Sequence, residues 1–171
     1  MTRALIALGS NLGQSLDTLA QAVNDLAAVP GVQVVRVSPI ARTAPVGGPE
    51  GQPDYVNMVA QLETSLGPYK LLEVCQQIEA KHHRKRLVRW GPRTLDLDMI
   101  TYGDLTQDDP ALTLPHPRAA QRAFVLAPWA RMDPQALLAG QLVAQLAASA
   151  PDADGIREFL PAPEVPECPS A

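Results

Sequence analysis

Two acidic residues inside an apolar strand constrain this chain more than any other feature. In Arg89-Trp90-Gly91-Pro92-Arg93-Thr94-Leu95-Asp96-Leu97-Asp98-Met99-Ile100, aspartates alternate with large apolar side chains. Side chains on a strand alternate between faces, so Leu95, Leu97 and Met99 point one way and Asp96 and Asp98 the other, about 7 Å apart. Aspartate is disfavoured in strands, and two carboxylates this close repel each other unless positive charge lies between them. Hard divalent cations such as magnesium take oxygen ligands and pair with the phosphates of a substrate. The pattern predicts a magnesium–polyphosphate corner on one face of a strand whose other face is core. The plainer alternative is a solvated strand face with arginine partners. The Gly91-Pro92 turn lets Arg89 and Arg93 reach the same region.

Charge is distributed in keeping with that corner. Lys81, Arg84, Lys85, Arg86, Arg89 and Arg93 hold six of the fourteen basic residues with no acid among them, in a chain of net charge −4. A local basic stretch on an acidic chain suits a small polyanion better than a long nucleic acid. The chain has 171 residues, 46% of them hydrophobic, which reads as one catalytic domain over 1–160. Residues 161–171 are proline-rich and read as a disordered tail. No apolar run approaches the roughly 18 residues of a membrane span. The N-terminus reaches Gly9-Ser10-Asn11 without a signal-peptide pattern, and Cys75 and Cys168 suggest neither a disulfide framework nor a metal knuckle. A cytoplasmic protein with no membrane partner is expected.

Periodicity gives the order of elements. Residues 3–8 read as a strand, and Gly9-Ser10-Asn11-Leu12-Gly13 reads as a connecting turn. Apolar residues at 16, 19, 20, 23, 26 and 27 predict a helix from Ser15 to Val29, stopped by Pro30-Gly31. Val32–Val37 reads as a strand, with a continuation to Ala41 past a bend at Pro39. A long loop with several Pro/Gly turns follows to Asp54, and then an alternating strand from Tyr55 to Leu66. Pro68 opens a helix to about Ala80, the basic loop follows, and the Asp96-x-Asp98 strand ends near Tyr102. Residues 104–113 read as an acidic loop, 119–127 as a short helix, 134–146 as a further helix opened by Pro134, and Ile156–Leu160 as a last strand. The β-α-β-β-α-β order is that of an α+β, ferredoxin-like antiparallel sheet with its first two helices on one face and extra C-terminal helices. The opposite face is expected to be free for ligands.

Four stretches together resemble the 6-hydroxymethyl-7,8-dihydropterin pyrophosphokinase family of folate biosynthesis. They are Ala7-Leu8-Gly9-Ser10-Asn11-Leu12-Gly13, Arg42-Thr43-Ala44-Pro45 with Gln52-Pro53-Asp54-Tyr55-Val56-Asn57, the Arg89–Asp98 run, and Pro115-His116-Pro117 with Arg122-Ala123-Phe124. The resemblance covers residues 4 to about 135 and implies a ferredoxin-like enzyme, a 2-amino-4-hydroxy-6-hydroxymethyldihydropteridine diphosphokinase. It would transfer pyrophosphate from ATP to the pterin alcohol, giving AMP and the pterin diphosphate.

The resemblance implies a division of roles. Asp96 and Asp98 match the family's ligands for two magnesium ions, and Arg84, Arg86 and Arg93 match its phosphate-clamping arginines in a mobile lid. Thr43, Ala44, Pro45, Val46, Tyr55, Asn57, Trp90, Arg122 and Phe124 match the pterin side, with Tyr55 and Phe124 as a ring sandwich. Gln76, Glu79, Arg86, Arg89, Trp90, Arg93, Ile100, Thr113, His116 and Arg122 match the ATP side. The implied partners are these two small substrates, bound by a monomer with no nucleic acid. Two other readings stay open: another magnesium-dependent transferase such as a nucleotidyltransferase, which would release pyrophosphate, and an RNA-binding ferredoxin-like module. The second would need paired strand aromatics and usually a basic surface, which the predicted central strands and a pI of about 5.3 do not offer.

Overall fold

The computed structural model describes residues 1–11, 15–44, 54–84 and 95–166, without the side chains of 83 and 84. The first half comprises β1 (Thr2–Ser10), α1 (Ser15–Ala27), β2 (Val32–Val37), β3 (Ile40–Thr43), β4 (Tyr55–Thr64), α2 (Pro68–Arg84) and β5 (Asp96–Tyr102). After it come β6 (Gln107–Asp109), β7 (Leu112–Leu114), a 3-10 turn (Ala119–Gln121) and α3 (Ala123–Met132). The described chain continues with β8 (Leu137–Leu138), β9 (Gln141–Leu142), α4 (Val143–Ser149), a second 3-10 turn (Ala153–Gly155) and β10 (Ile156–Leu160).

The main sheet runs β10-β3-β4-β1-β5, with β2 also paired to β4, and every pair in it is antiparallel. Strands β2 and β3 pair with opposite ends of β4, as expected of one strand bent at Pro39. At the bend the Ser38 hydroxyl accepts the Val59 N–H at 2.9 Å, replacing a backbone partner.

Two apolar cores sandwich the sheet. Ile6, Leu8, Met58, Leu62, Leu95, Leu97 and Met99 pack with Leu19, Val23 and Leu26 of α1 and Leu71, Cys75 and Ile78 of α2. Leu5, Val59 and Ile100 on the other face pack with Val125, Leu126 and Trp129 of α3 and Val143 of α4. This corrects the expectation of a second face left wholly free. Its apolar residues need cover, and α3 and α4 supply it at Leu5, Val59 and Ile100, while the end around Gly9, Asn57 and Asp96 lines a cleft.

Other differences have local causes. Helix α2 runs on to Arg84, because Lys81 and His82 turn back to Asp25 on α1, at 2.7 and 2.8 Å. Lys81 therefore belongs to the helix, not to a loop. The acidic stretch 104–113 folds into the β6–β7 hairpin. The helix expected from Pro134 is a hairpin, β8–β9, followed by the shorter α4. Ala139 (φ 50°) and Gly140 (φ 80°) both take the left-handed conformation that a two-residue hairpin turn requires. Leu137 is then exposed and Leu138 buried, a strand alternation rather than a helical one. Leu114-Pro115 is cis. No described helix is long and apolar enough to cross a membrane.

Candidate active site

A cleft of about 690 Å³ opens where the ends of β1, β4 and β5 meet the start of α3. The sheet register assembles it. Gly9 on β1 lies opposite Asn57 on β4 and opposite Asp96 on β5. A Cβ on residue 9 would stand 2.7 Å from the Asn57 amide oxygen, so glycine is what lets that side chain lean across the strand. The buried Asn57 Nδ2 donates to Thr43 Oγ1 at 3.2 Å. This bond fixes which end of the amide faces the cleft.

On the opposite flank, β5 alternates as its sequence dictates. Leu95, Leu97 and Met99 enter the first core, and Asp96 and Asp98 line the cleft. The Leu97 N–H between them donates to Glu79 Oε2 on α2 at 3.0 Å. Glu79 also bears on Cys75, whose thiol is pushed up to about 12, first by burial and then by the charges of Glu79 and Asp98.

The third wall is the start of α3. Phe124 and Arg122 line the cleft, and the Arg122 guanidinium lies 5.5 Å from the Phe124 ring centroid, a cation–π distance. His116 sits nearby, its backbone N–H donating to the Ile100 carbonyl at 2.9 Å. Its Nδ1 accepts the Arg118 N–H at 3.2 Å, so the neutral ring carries its proton on Nε2. Burial pushes the His116 pKa below the ordinary value; Asp98 opposes the shift, and Arg122 and Arg118 add to it.

Thr43, Ala44, Tyr55, Asn57, Asp96, Asp98, Arg122 and Phe124 thus share one cleft. Five other described residues expected at the site are not part of this lining: Gln76, Glu79, Ile100, Thr113 and His116. The Ile100 side chain is buried in the second core, and its carbonyl accepts the His116 N–H. Thr113 spends its hydroxyl on the Asp109 carbonyl within the β6–β7 hairpin, at 2.9 Å. Gln76 is exposed on α2, one turn before Glu79. Pro45, Val46, Arg86, Arg89, Trp90 and Arg93 lie outside the described residues, as does the side chain of Arg84.

The cleft also contains residues that the sequence did not single out. Ser10 belongs to β1 rather than to a turn, and Asn11 follows it into the lining. Both are buried, and among the described residues Ser10 Oγ and Asn11 Oδ1 have no hydrogen-bond partner. A buried acceptor left unmade is costly, so an orphan oxygen in a cleft wall marks a place for a ligand's donor. The glycine-rich stretch around them was the available signal. Asp152, Gly155 and Ile156 complete the lining from the C-terminal segment, where no motif announced them.

The match to known proteins follows the same stretches. Residues 5–134 match the model of the 7,8-dihydro-6-hydroxymethylpterin-pyrophosphokinase (HPPK) family. The chain belongs to this family. Among curated relatives, the 2-amino-4-hydroxy-6-hydroxymethyldihydropteridine pyrophosphokinase of Synechocystis is 47% identical over 77% of the chain and 66% of that protein. The enzyme of the same name from Methylorubrum extorquens is 44% identical over 84% of the chain and 90% of its own length. A solved Plasmodium falciparum HPPK-DHPS structure with pterin and p-hydroxybenzoate shares the fold, with a TM-score of 0.68 at 14% identity. The chain covers 42% of that longer HPPK-DHPS chain, and the superposition takes in 86% of the chain described here.

Proposed function

We propose that the cleft performs the HPPK reaction, moving pyrophosphate from ATP to 6-hydroxymethyl-7,8-dihydropterin in folate biosynthesis and releasing AMP. The observation that carries this reading is the placement of Asn57 and Asp96 on either side of Gly9. An amide suited to the edge of a heterocycle and a carboxylate suited to a metal–phosphate group flank one position without a side chain. Two strand spacings separate them, about 10 Å, a distance that a pterin with its hydroxymethyl arm spans. The β5-β1-β4-β2 order, with α1 and α2 as crossovers, supports a ferredoxin-like core extended by β3 and β10.

The acceptor ring lies between Tyr55 and Phe124. Asn57, held by Thr43, presents its amide oxygen to ring N–H donors, and the buried Asn11 oxygen takes a further donor. Ala44 lines the same cleft, and Pro45, Val46 and Trp90 are assigned to the pterin side on the family match alone. The arginines at 84, 86, 89 and 93 are assigned on the family match to the phosphate oxygens, which suit planar bidentate donors, and Arg122, beside the Phe124 ring, is assigned to the pterin side. His116, neutral and protonated on Nε2, donates on the nucleotide side.

Asp96 and Asp98 fit magnesium, by our reading two ions. Both are hard oxygen donors, and the described residues include no group of three or more acidic, His or Cys side chains that would cage a metal alone. Two protein carboxylates leave coordination positions for phosphate oxygens and water. When bound, the metal supplies charge neutralisation at the phosphates.

In the transfer, the pterin alcohol oxygen forms a bond to the β-phosphorus. The bond from that phosphorus to the α–β bridging oxygen breaks, and the alcohol proton is released. The chain's own contribution is alignment and charge. A monomer acting in the cytoplasm, where ATP is available, is part of this reading. The test is substitution: Asp96→Ala and Asp98→Ala should each melt cooperatively and lose turnover by orders of magnitude. Near-normal turnover in either folded variant contradicts the assignment.

A further inference from the structure

Asp152 lies beyond residue 134, where the family match ends, yet it touches the acceptor side of the cleft. Its Oδ1 accepts the Ala123 N–H at 2.8 Å, across 29 positions of sequence. Ala123 opens α3, and the first N–H groups of a helix have no partner inside it. Arg122, at the cap position, gives no side-chain capping hydrogen bond. A carboxylate from a distant segment does the capping instead, at the end of the helix where negative charge is favoured.

The location of this bond gives it functional weight. Arg122 and Phe124 flank Ala123 in sequence, and both line the cleft. The segment carrying Asp152 also binds the opposite wall. The Gly155 carbonyl accepts the Ala44 N–H at 2.9 Å, and Ile156 pairs with Thr43. Arg157 holds Asp54, the residue before Tyr55, with Nε 3.1 Å from Oδ2. One short strap thereby ties the Thr43–Tyr55 wall to the Arg122–Phe124 wall.

We propose that Asp152 is a positioning residue for the acceptor substrate. By fixing the start of α3 against the strap, it sets the placement of Phe124 and Arg122 across the slot from Tyr55 and Asn57. It acts on the fit of a flat heteroaromatic acceptor and not on the phosphate end, where Asp96 and Asp98 stand. The proposal rests on the reading of this cleft as the pterin site.

Steady-state kinetics of the full-length enzyme with both substrates varied tests it, alongside thermal melting. Asp152→Ala should raise the pterin KM about tenfold, the equivalent of about 1.4 kcal/mol, and shift the ATP KM less than about twofold. Asp152→Asn keeps an oxygen for the Ala123 N–H and should recover much of the loss; it also serves if the alanine variant does not fold. A pterin KM unchanged in the folded variants, or both KM values raised alike, overturns the positioning role. A wild-type enzyme that turns over ATP but not this pterin overturns the acceptor reading itself, and the proposal with it.

Discussion

Glu79 on α2 accepts the backbone N–H of Leu97, the residue between Asp96 and Asp98, at 3.0 Å. A helix thereby holds the strand that presents both carboxylates. Glu79→Ala leaves that N–H without its partner. Hydrogen bonds to charged groups contribute roughly 1.5–3 kcal/mol, and Glu79 is only half-buried. A loss near the lower end is expected in urea unfolding, with a higher magnesium concentration for half-maximal activity. Glu79→Gln, which keeps an acceptor oxygen, should lose less. Unchanged stability and metal dependence in the alanine variant would contradict this role.

Asn57 separates acceptor binding from nucleotide binding. Its amide is pinned by Thr43 and leans over Gly9. Asn57→Ala should weaken pterin affinity about tenfold or more by calorimetry while leaving ATP affinity nearly unchanged. Gly9→Ala should act in the same direction, because its methyl group displaces the Asn57 oxygen. Equal losses for both ligands would contradict the assignment.

Asp25 joins α1 to the last turn of α2. Burial alone would raise its carboxyl, but hydrogen bonds from Lys81 and His82, with their charges, outweigh that and hold it below the ordinary 3.8. A lowered folded-state value favours folding above the ordinary carboxylate pKa, and the gain is lost as pH falls through the lowered value. Asp25→Asn should therefore cost about 1 kcal/mol at pH 7. The difference from wild type should shrink when unfolding is measured below about pH 3.8, a window set by the ordinary carboxylate value. A difference that does not change with pH would place the effect elsewhere.

Cys75 is buried, and its thiol is pushed up to about 12, first by burial and then by Glu79 and Asp98. The thiolate is the reactive form. In the native protein at pH 8, Cys75 should resist alkylation, as read by peptide mass spectrometry, and react on unfolding in urea. Rapid native labelling would contradict the packing around it.

Much of the site was legible because strand periodicity and residue chemistry agree. Alternation in β5 puts Asp96 and Asp98 on one face, and alternation in β4 puts Asn57 beside Val59 and opposite Met58. The rest depends on contacts between distant segments. Nothing local marks Asp152, whose partner Ala123 lies 29 residues away. The leucines at 137, 138 and 142 mimic a helical period, and only the left-handed Ala139-Gly140 turn decides for a hairpin. Lys81 and His82 read as the start of a charged loop, although Asp25 on another helix draws them into α2. The second face of the sheet looked open because the cover that α3 gives to Leu5, Val59 and Ile100 has no signature in the strands themselves.

The central claim is that one cleft joins a pterin alcohol to the β-phosphorus of ATP. Product analysis of a single reaction tests it: ATP and 6-hydroxymethyl-7,8-dihydropterin with the purified protein, with and without magnesium. The account predicts AMP and pterin diphosphate in equal amounts, formed only with the metal. Release of pyrophosphate or ADP, or equal turnover after chelation, would contradict it.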